Sequence, residues 1–266
     1  MNPGIIIPLI YQLLTAYQPR TNSQMSIAIP TPISPALSAE VTTKADTVPT
    51  FTPRNIGGIG KSISIAIIGD SMIEILKPDL PTLKNSLNQY FPDYPFVFYN
   101  LGYPSQNIEY AQKKLQEDLF SKNPDIIIIE SFAYNNFGNT QENINRHWLD
   151  LGAMTTSIKK ELPNAKIIIA ATIAPNSITF CNSCQEKFSS LEKIEKTKTI
   201  KLYIQNAINF ANSQGFPLAN AYQYTLSSSN EGLPEFISDD SIHPSELGAQ
   251  LFSDVIAKTI FDNNLL

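Results

Sequence analysis

The chain has 266 residues, of which 16% are charged and 42% hydrophobic, and carries a net charge of −5. That length suits one sizeable α/β domain with an appendage, or two small domains. Its cations are scattered, with Lys113-Lys114 and Lys159-Lys160 reading as solvated helix faces. Without a basic stripe to release counterions from phosphates, nucleic acid is excluded as a partner.

Residues 4–17, "GIIIPLIYQLLTAY", are apolar. The run is shorter than the roughly 20 residues that span a bilayer. It lacks the basic start of a signal peptide, and Pro8 interrupts it. From Gln18 to about Gly60 the chain is rich in Pro, Thr, Ser and Ala and has no lasting apolar period, the composition of an extended linker. Residues 1–60 are therefore expected to be an apolar segment and Pro/Thr-rich linker, with the globular domain at 61–266. Such a layout suits a tethered or exported enzyme, and equally an incidental disordered extension, so localisation and a membrane tether stay open.

The run "GIGKS" (58–62) resembles the end of a phosphate-binding loop but fails its test. That loop follows a strand and opens with glycine, whereas this one precedes a strand and has Asn55 at the leading position.

From Ser62 onward, apolar runs alternate with amphipathic ones. "ISIAIIG", "FVFYNLG", "DIIIIES", "KIIIAATIA" and, more weakly, "FPLANAY" are expected strands, each continuously apolar and so buried on both faces. Between them, "QNIEYAQKKLQEDLFSK" puts Ile108, Ala111, Leu115 and Leu119 on one helical stripe. The segment "ENINRHWLDLGAMTTSIKK" does the same with Ile144, Trp148, Leu151 and Ile158. Two more helices are expected over 189–213 and in the closing "SELGAQLFSDVIAKTIF". This alternation implies a parallel sheet covered by helices on both faces. Active residues in such folds gather at the carboxyl ends of the strands.

Gly69-Asp70-Ser71 ends the first expected strand, and Gly102 the second. The third leads into Asn135 and Asn136, and "SDDSIHPSELG", with Asp240 and His243, precedes the last helix. A serine where a strand turns into a helix projects from the sheet end beside unpaired backbone N–H groups, which suit an oxyanion. It becomes a nucleophile when a base takes its proton. His243 can be that base, with Asp240 three residues earlier to orient the imidazole. Taken singly, each motif also reads as an ordinary turn or helix cap; together they point to catalysis.

Other signals carry less. Gly-x-Ser-x-Gly is absent, which argues against an α/β-hydrolase elbow. Two Ser-x-x-Lys matches, at Ser157 and Ser190, fall inside Lys-rich helical segments, and His147 sits on a helix away from the expected strand ends. Cys181 and Cys184 form one C-x-x-C. A structural zinc site takes four ligands, so a local disulfide or a free pair fits better, and no function is assigned to the pair.

The strand-end set resembles the SGNH hydrolases, the GDSL esterase/lipase superfamily, over roughly Ser62 to Phe261. The family's four markers map in order onto Ser71, Gly102, Asn135 and His243, and Asp240 fills the acid of its Asp-x-x-His motif. The resemblance implies a three-layer α/β/α sandwich with a flavodoxin-like, parallel five-stranded sheet and no metal or organic cofactor. It implies an oxyanion hole made by the backbone N–H groups of Ser71 and Gly102 and the side-chain amide of Asn135. This chain has Ala133-Tyr134-Asn135-Asn136 where the family commonly has Gly-x-Asn-Asp, so spacing alone selects Asn135 over Asn136. The expected function is hydrolysis of a small-molecule, carbohydrate or lipid ester through an acyl-enzyme at Ser71. The alternative is a non-catalytic glycan-binding domain on the same fold.

Overall fold

Isoleucine makes the centre of this molecule. In the computed structural model, which describes residues 62–266, Ile65, Ile67 and Ile68 of strand β1 (Ile63–Gly69) are fully buried. So are all four isoleucines of β3 (Ile126–Glu130). Burying one such side chain completely is worth about 1.5–3 kcal/mol. A β-branched residue also keeps its preferred rotamer on a pleated surface.

The sheet has five strands in the order β2-β1-β3-β4-β5, where β2 is Phe96–Gly102, β4 Lys166–Ala171 and β5 Leu218–Asn220. Every pairing is parallel. All five expected strands are present. The burial expectation needs one correction: β2 lies on the sheet edge and is only half-buried along its length, because it has a neighbour on one side alone.

Seven α-helices occur among the described residues. They are α1 (Ser71–Glu74), α2 (Pro81–Tyr90), α3 (Ile108–Lys114), α4 (Gln141–Glu161), α5 (Ser190–Gln214), α6 (Ala221–Tyr224) and α7 (Glu246–Asp262). Helices α2 and α7 cover one face, where Leu83, Leu87, Phe252 and Ile256 pack on Ile65, Ile67 and Ile128. Helices α3, α4 and α5 cover the other, where Ala111, Leu151, Met154 and Phe210 meet Ala66, Ile68 and Ile129. The result is a three-layer α/β/α sandwich. Helix α2 has no counterpart among the expected elements. Its Leu83 and Leu87 form too short a stripe to stand out, and Pro81 at its start supplies the entry signal.

Side-chain caps at the starts of α5 and α7 sharpen the chain reversals there. Ser189 and Glu192 close a capping box at α5, and Ser245 Oγ accepts from the Gly248 N–H at α7. The segments expected over 1–60 lie outside the described residues. Among the described residues, no helix is long and apolar enough to cross a membrane.

The strand order reverses at β1. The chain goes from β1 out to β2, then crosses back to place β3 on the other side of β1. In open sheets of this kind, the crevice at such a reversal lies beyond the carboxyl ends of the strands. Ser71 follows β1 and Asn135 follows β3, so both belong to that crevice.

Candidate active site

The Gly-Asp-Ser ending of β1 has a separate physical reason for each residue. At Gly69 a Cβ would collide with the Ile73 side chain and lie 2.8 Å from Glu130 Cβ, so only glycine fits. Asp70 is fully buried, and its Oδ1 accepts the Met72 N–H at 2.9 Å, capping α1. Ser71, the first residue of α1, is partly exposed. Met72 and Ile73, both buried, anchor the short helix beneath it.

Ser71 meets the turn before α7. His243 Nε2 accepts from Ser71 Oγ at 2.9 Å, and His243 Nδ1 donates to Asp240 Oδ2 at 2.7 Å. Asp240 Oδ1 takes three more donors: Ser238 Oγ at 2.7 Å, Ile242 N–H at 2.8 Å and His243 N–H at 2.9 Å. Burial would raise the Asp240 carboxyl, but these bonds from His243, Ser238 and Ile242 outweigh it and hold it at about 2. The carboxylate is therefore charged at pH values well above 2 and can fix the imidazole tautomer. The three residues singled out from distant parts of the sequence form one hydrogen-bonded chain.

Asn135 and Asn136 have different partners. Asn135 Nδ2 donates one hydrogen to Asp70 Oδ2 at 3.0 Å, which aims its amide at the Gly-Asp-Ser corner. Among the described residues, no acceptor is bonded to its second N–H. Asn136 is spent on its own loop, with Nδ2 on Ala133 O at 2.8 Å and Oδ1 accepting from the Gly138 N–H at 3.0 Å.

Gly102 does not sit as expected. Its N–H donates to Asn100 Oδ1 at 3.0 Å, so it is already engaged. Its lack of a side chain serves packing instead, since a Cβ there would run into the backbone of Glu74 in α1. Asn100 also donates to Ile73 O at 2.9 Å and Lys77 O at 3.0 Å, stitching α1 to β2. Beyond β2, the Tyr103 N–H bonds Gly69 O at 2.9 Å, and Gln106 N–H closes a turn onto Tyr103 O. Within that turn Pro104 is followed by Ser105 at φ +60°, the arrangement of a type II turn. Among the described residues, no acceptor is bonded to the N–H of Ser105 or of Ser71.

Two buried groups under the site carry roles that the sequence did not assign. Glu130, fully buried at the end of β3, accepts from Ser131 Oγ at 2.6 Å and from the Phe132 N–H at 2.7 Å. It thereby pins Phe132, which stands at φ +52°, a conformation costly for a side chain of that size. Burial, and then the charge of Asp70, push the Glu130 carboxyl well above its usual range. Burial also raises Asp70, against the Met72 N–H, the Asn135 amide and the charge of His243. The signal was present in "DIIIIES": a carboxylate closing a wholly apolar strand needs partners, just as Asp70 does.

His147 is the other. It is buried in α4, with Nε2 on Ser131 O at 2.9 Å and Nδ1 on Asn206 Nδ2 at 2.9 Å. The imidazole thus holds the chain where β3 ends, contrary to its expected distance from any strand end. Burial lowers it to about 4. Folded, it resists protonation that the unfolded chain accepts near pH 6.5, so stability is complete above that pH and is lost as pH falls towards 4. Between pH 7 and 4, wild type should lose about 3 kcal/mol more than a His147→Gln variant, measured by urea denaturation. Equal acid sensitivity in the two proteins would show that His147 is not protected.

The arrangement supplies a serine hydroxyl, an imidazole base, an ionised orienting carboxylate and unpaired N–H donors. Among the described residues no cluster of His, Cys, Asp and Glu could hold a metal ion. A comparison with curated proteins finds no match. Among solved structures, a lipase/acylhydrolase from Enterococcus faecalis is similar at TM-score 0.58 and 20% identity, covering 76% of this chain and 96% of that one. A GDSL-like lipase from Bacteroides thetaiotaomicron is similar at 0.54 and 16%, covering 75% and 88%. An acetylxylan esterase from Geobacillus stearothermophilus is similar at 0.54 and 15%, covering 76% and 95%. These likenesses bear on the fold. The sequence model of the GDSL-like Lipase/Acylhydrolase family matches residues 65–256. With the greater part of its length under that match, the chain belongs to the GDSL-like lipase/acylhydrolase family.

Proposed function

We propose that the protein is a serine esterase that cleaves a carboxylic ester of a small molecule, carbohydrate or lipid through an acyl-enzyme at Ser71. The observation that carries this reading is the unbroken chain Ser71 Oγ, His243 Nε2, His243 Nδ1, Asp240 Oδ2, with links of 2.9 and 2.7 Å. Ser71 Oγ attacks the ester carbonyl while its proton passes to His243 Nε2. Asp240 stabilises the imidazolium, which then protonates the departing alcohol oxygen. Water repeats the sequence to release the acid and restore Ser71.

The developing oxyanion takes the Ser71 N–H and the free amide hydrogen of Asn135. For the remaining backbone donor, Ser105 replaces Gly102, whose N–H is engaged by Asn100. Turnover of p-nitrophenyl acetate by purified protein tests the reading, and its absence would favour the glycan-binding alternative.

An amide that donates mainly to the transition state lowers kcat when lost and leaves KM nearly unchanged. Asn135→Ala should reduce kcat on the order of 10²–10³-fold. Asn136→Ala should cost less, acting through the order of its loop. A larger kcat loss in the Asn136 variant, with folding intact by circular dichroism, would move the donor one residue along.

A further inference from the structure

A cavity of about 570 Å³ opens beside Asn135. Its lining includes Tyr134 and Asn136 on one side and Phe180, Cys181 and Phe188 on the other, with Ile200 between them. The second side is the loop between β4 and α5, and it touches the acid–histidine turn directly. The Cys181 N–H donates to Ser241 O at 3.3 Å, and Ser183 Oγ donates to Asp239 O at 2.8 Å, one residue either side of Asp240. The cavity thus has Asn135 in its lining, and its loop wall is bonded to the turn that carries His243. An ester whose carbonyl oxygen is held by the Asn135 amide has this lining within reach for the larger group it bears.

The loop wall depends on a covalent closure. Cys181 and Cys184 are joined in a disulfide, with Cα atoms 4.9 Å apart. Cys181 stands at φ +56°, a conformation rare for a residue with a side chain and kept only when its surroundings enforce it. A ring closed across so few residues removes little entropy from the unfolded chain, so its main effect on the protein is local. The acid–histidine turn has other supports: Ser238 N–H on His243 O at 2.8 Å, Ser241 N–H on Ser238 O at 2.9 Å, and Ser245 N–H on Phe236 O at 3.0 Å. Opening the disulfide removes this tie from the cavity wall, whereas the three bonds just named hold the catalytic turn without the loop.

We infer that this cavity receives the larger organic group of the ester, and that the Cys181–Cys184 loop is its specificity-determining wall, set by the redox state of the pair. The inference rests on the esterase reading of Ser71. Its apolar lining of Phe180, Phe188 and Ile200 and its polar lining of Asn135, Asn136, Glu195 and Lys196 suit a ring-sized or short-chain group with one apolar and one polar face. Reduction is an exchange with a dithiol. A thiolate of the reductant attacks the partly exposed Cys184 sulfur and the S–S bond breaks, so Cys181 leaves as a thiolate and takes a proton. The reductant's second thiol then displaces Cys184 and closes the reductant's own disulfide. Two electrons and two protons pass to the protein.

The test uses the full chain before and after dithiothreitol, with thiol titration to confirm opening. Three esters are compared: p-nitrophenyl acetate, p-nitrophenyl hexanoate with its enlarged acyl group, and peracetylated glucose with its enlarged alcohol. Reduction should lower kcat/KM for at least one enlarged ester by about tenfold or more through KM, while kcat for p-nitrophenyl acetate stays within about twofold. Loss on the hexanoate places the acyl chain in the cavity, and loss on the sugar ester places the alcohol there; either supports the inference. A Cys181→Ser/Cys184→Ser double variant should show the reduced pattern with or without dithiothreitol, and if it does not fold the wild-type arm decides. No change on any ester overturns the inference. So does an equal loss on all three with a lowered Tm, which would make the loop a stability element only. Absence of hydrolysis by the oxidised protein, seen before any reductant is added, refutes the esterase reading and takes this inference with it.

Discussion

Ser71→Ala should abolish ester hydrolysis, with a fall in kcat on the order of 10⁶-fold, the loss seen when a triad nucleophile is removed from a serine hydrolase. The size follows from the geometry. Alanine deletes the one atom that attacks and leaves His243 with no proton to accept, so acylation has no route. The fold should be unaffected, since Ser71 is partly exposed and, among the described residues, its hydroxyl bonds only to His243. Helix α1 is held instead by buried Met72 and Ile73 and by the Asp70 cap, all of which remain. A fluorophosphonate probe should label wild type at Ser71 and leave the variant blank, as read by peptide mass spectrometry. Labelling at Ser157 or Ser190, both exposed on helices, would instead mean the wrong serine has been assigned.

Asp240→Asn should reduce kcat by up to about 10⁴-fold. Asparagine keeps the shape and can still accept from the Ser238 hydroxyl and the two backbone N–H groups, so the turn should stay folded. What changes is the partner of His243 Nδ1. An amide presented by its nitrogen donates where the carboxylate accepted, which favours the imidazole tautomer with its proton on Nε2. That nitrogen then cannot take the proton from Ser71. Because Asp240 is held at about 2, the wild-type rate should show no ionisation of this carboxyl above about pH 4. A pH–rate profile checks both statements, and an Asp240→Asn enzyme within about tenfold of wild type would demote the carboxylate to a structural support of the turn.

Much of this was legible in one dimension. Five apolar runs, three of them isoleucine-rich, separated by amphipathic stretches point to a parallel, doubly covered sheet, because central strands apolar on both sides have to be buried on both sides. Ser71, Asp240 and His243 were legible for a related reason. A hydroxyl, carboxylate and imidazole placed where apolar strands end or a helix begins have no packing role there, so their residue types carry chemical information.

The remainder required the third dimension. Gly102 counts as an oxyanion donor only through the family resemblance, and the fold shows Asn100 Oδ1 already on its N–H and Glu74 packed against the missing side chain. Asn135 and Asn136 are adjacent and chemically identical, and what separates them is that one reaches Asp70, 65 residues earlier, while the other turns back on Ala133. The roles of Glu130 and His147 follow from what lies beside them. A sequence states which groups are present and how far apart they are along the chain, and the sheet's pleat and the helices' faces restrict where each can point. The partner of a given N–H or carboxylate is chosen by contacts between residues tens to hundreds of positions apart, and that choice is made when the layers pack.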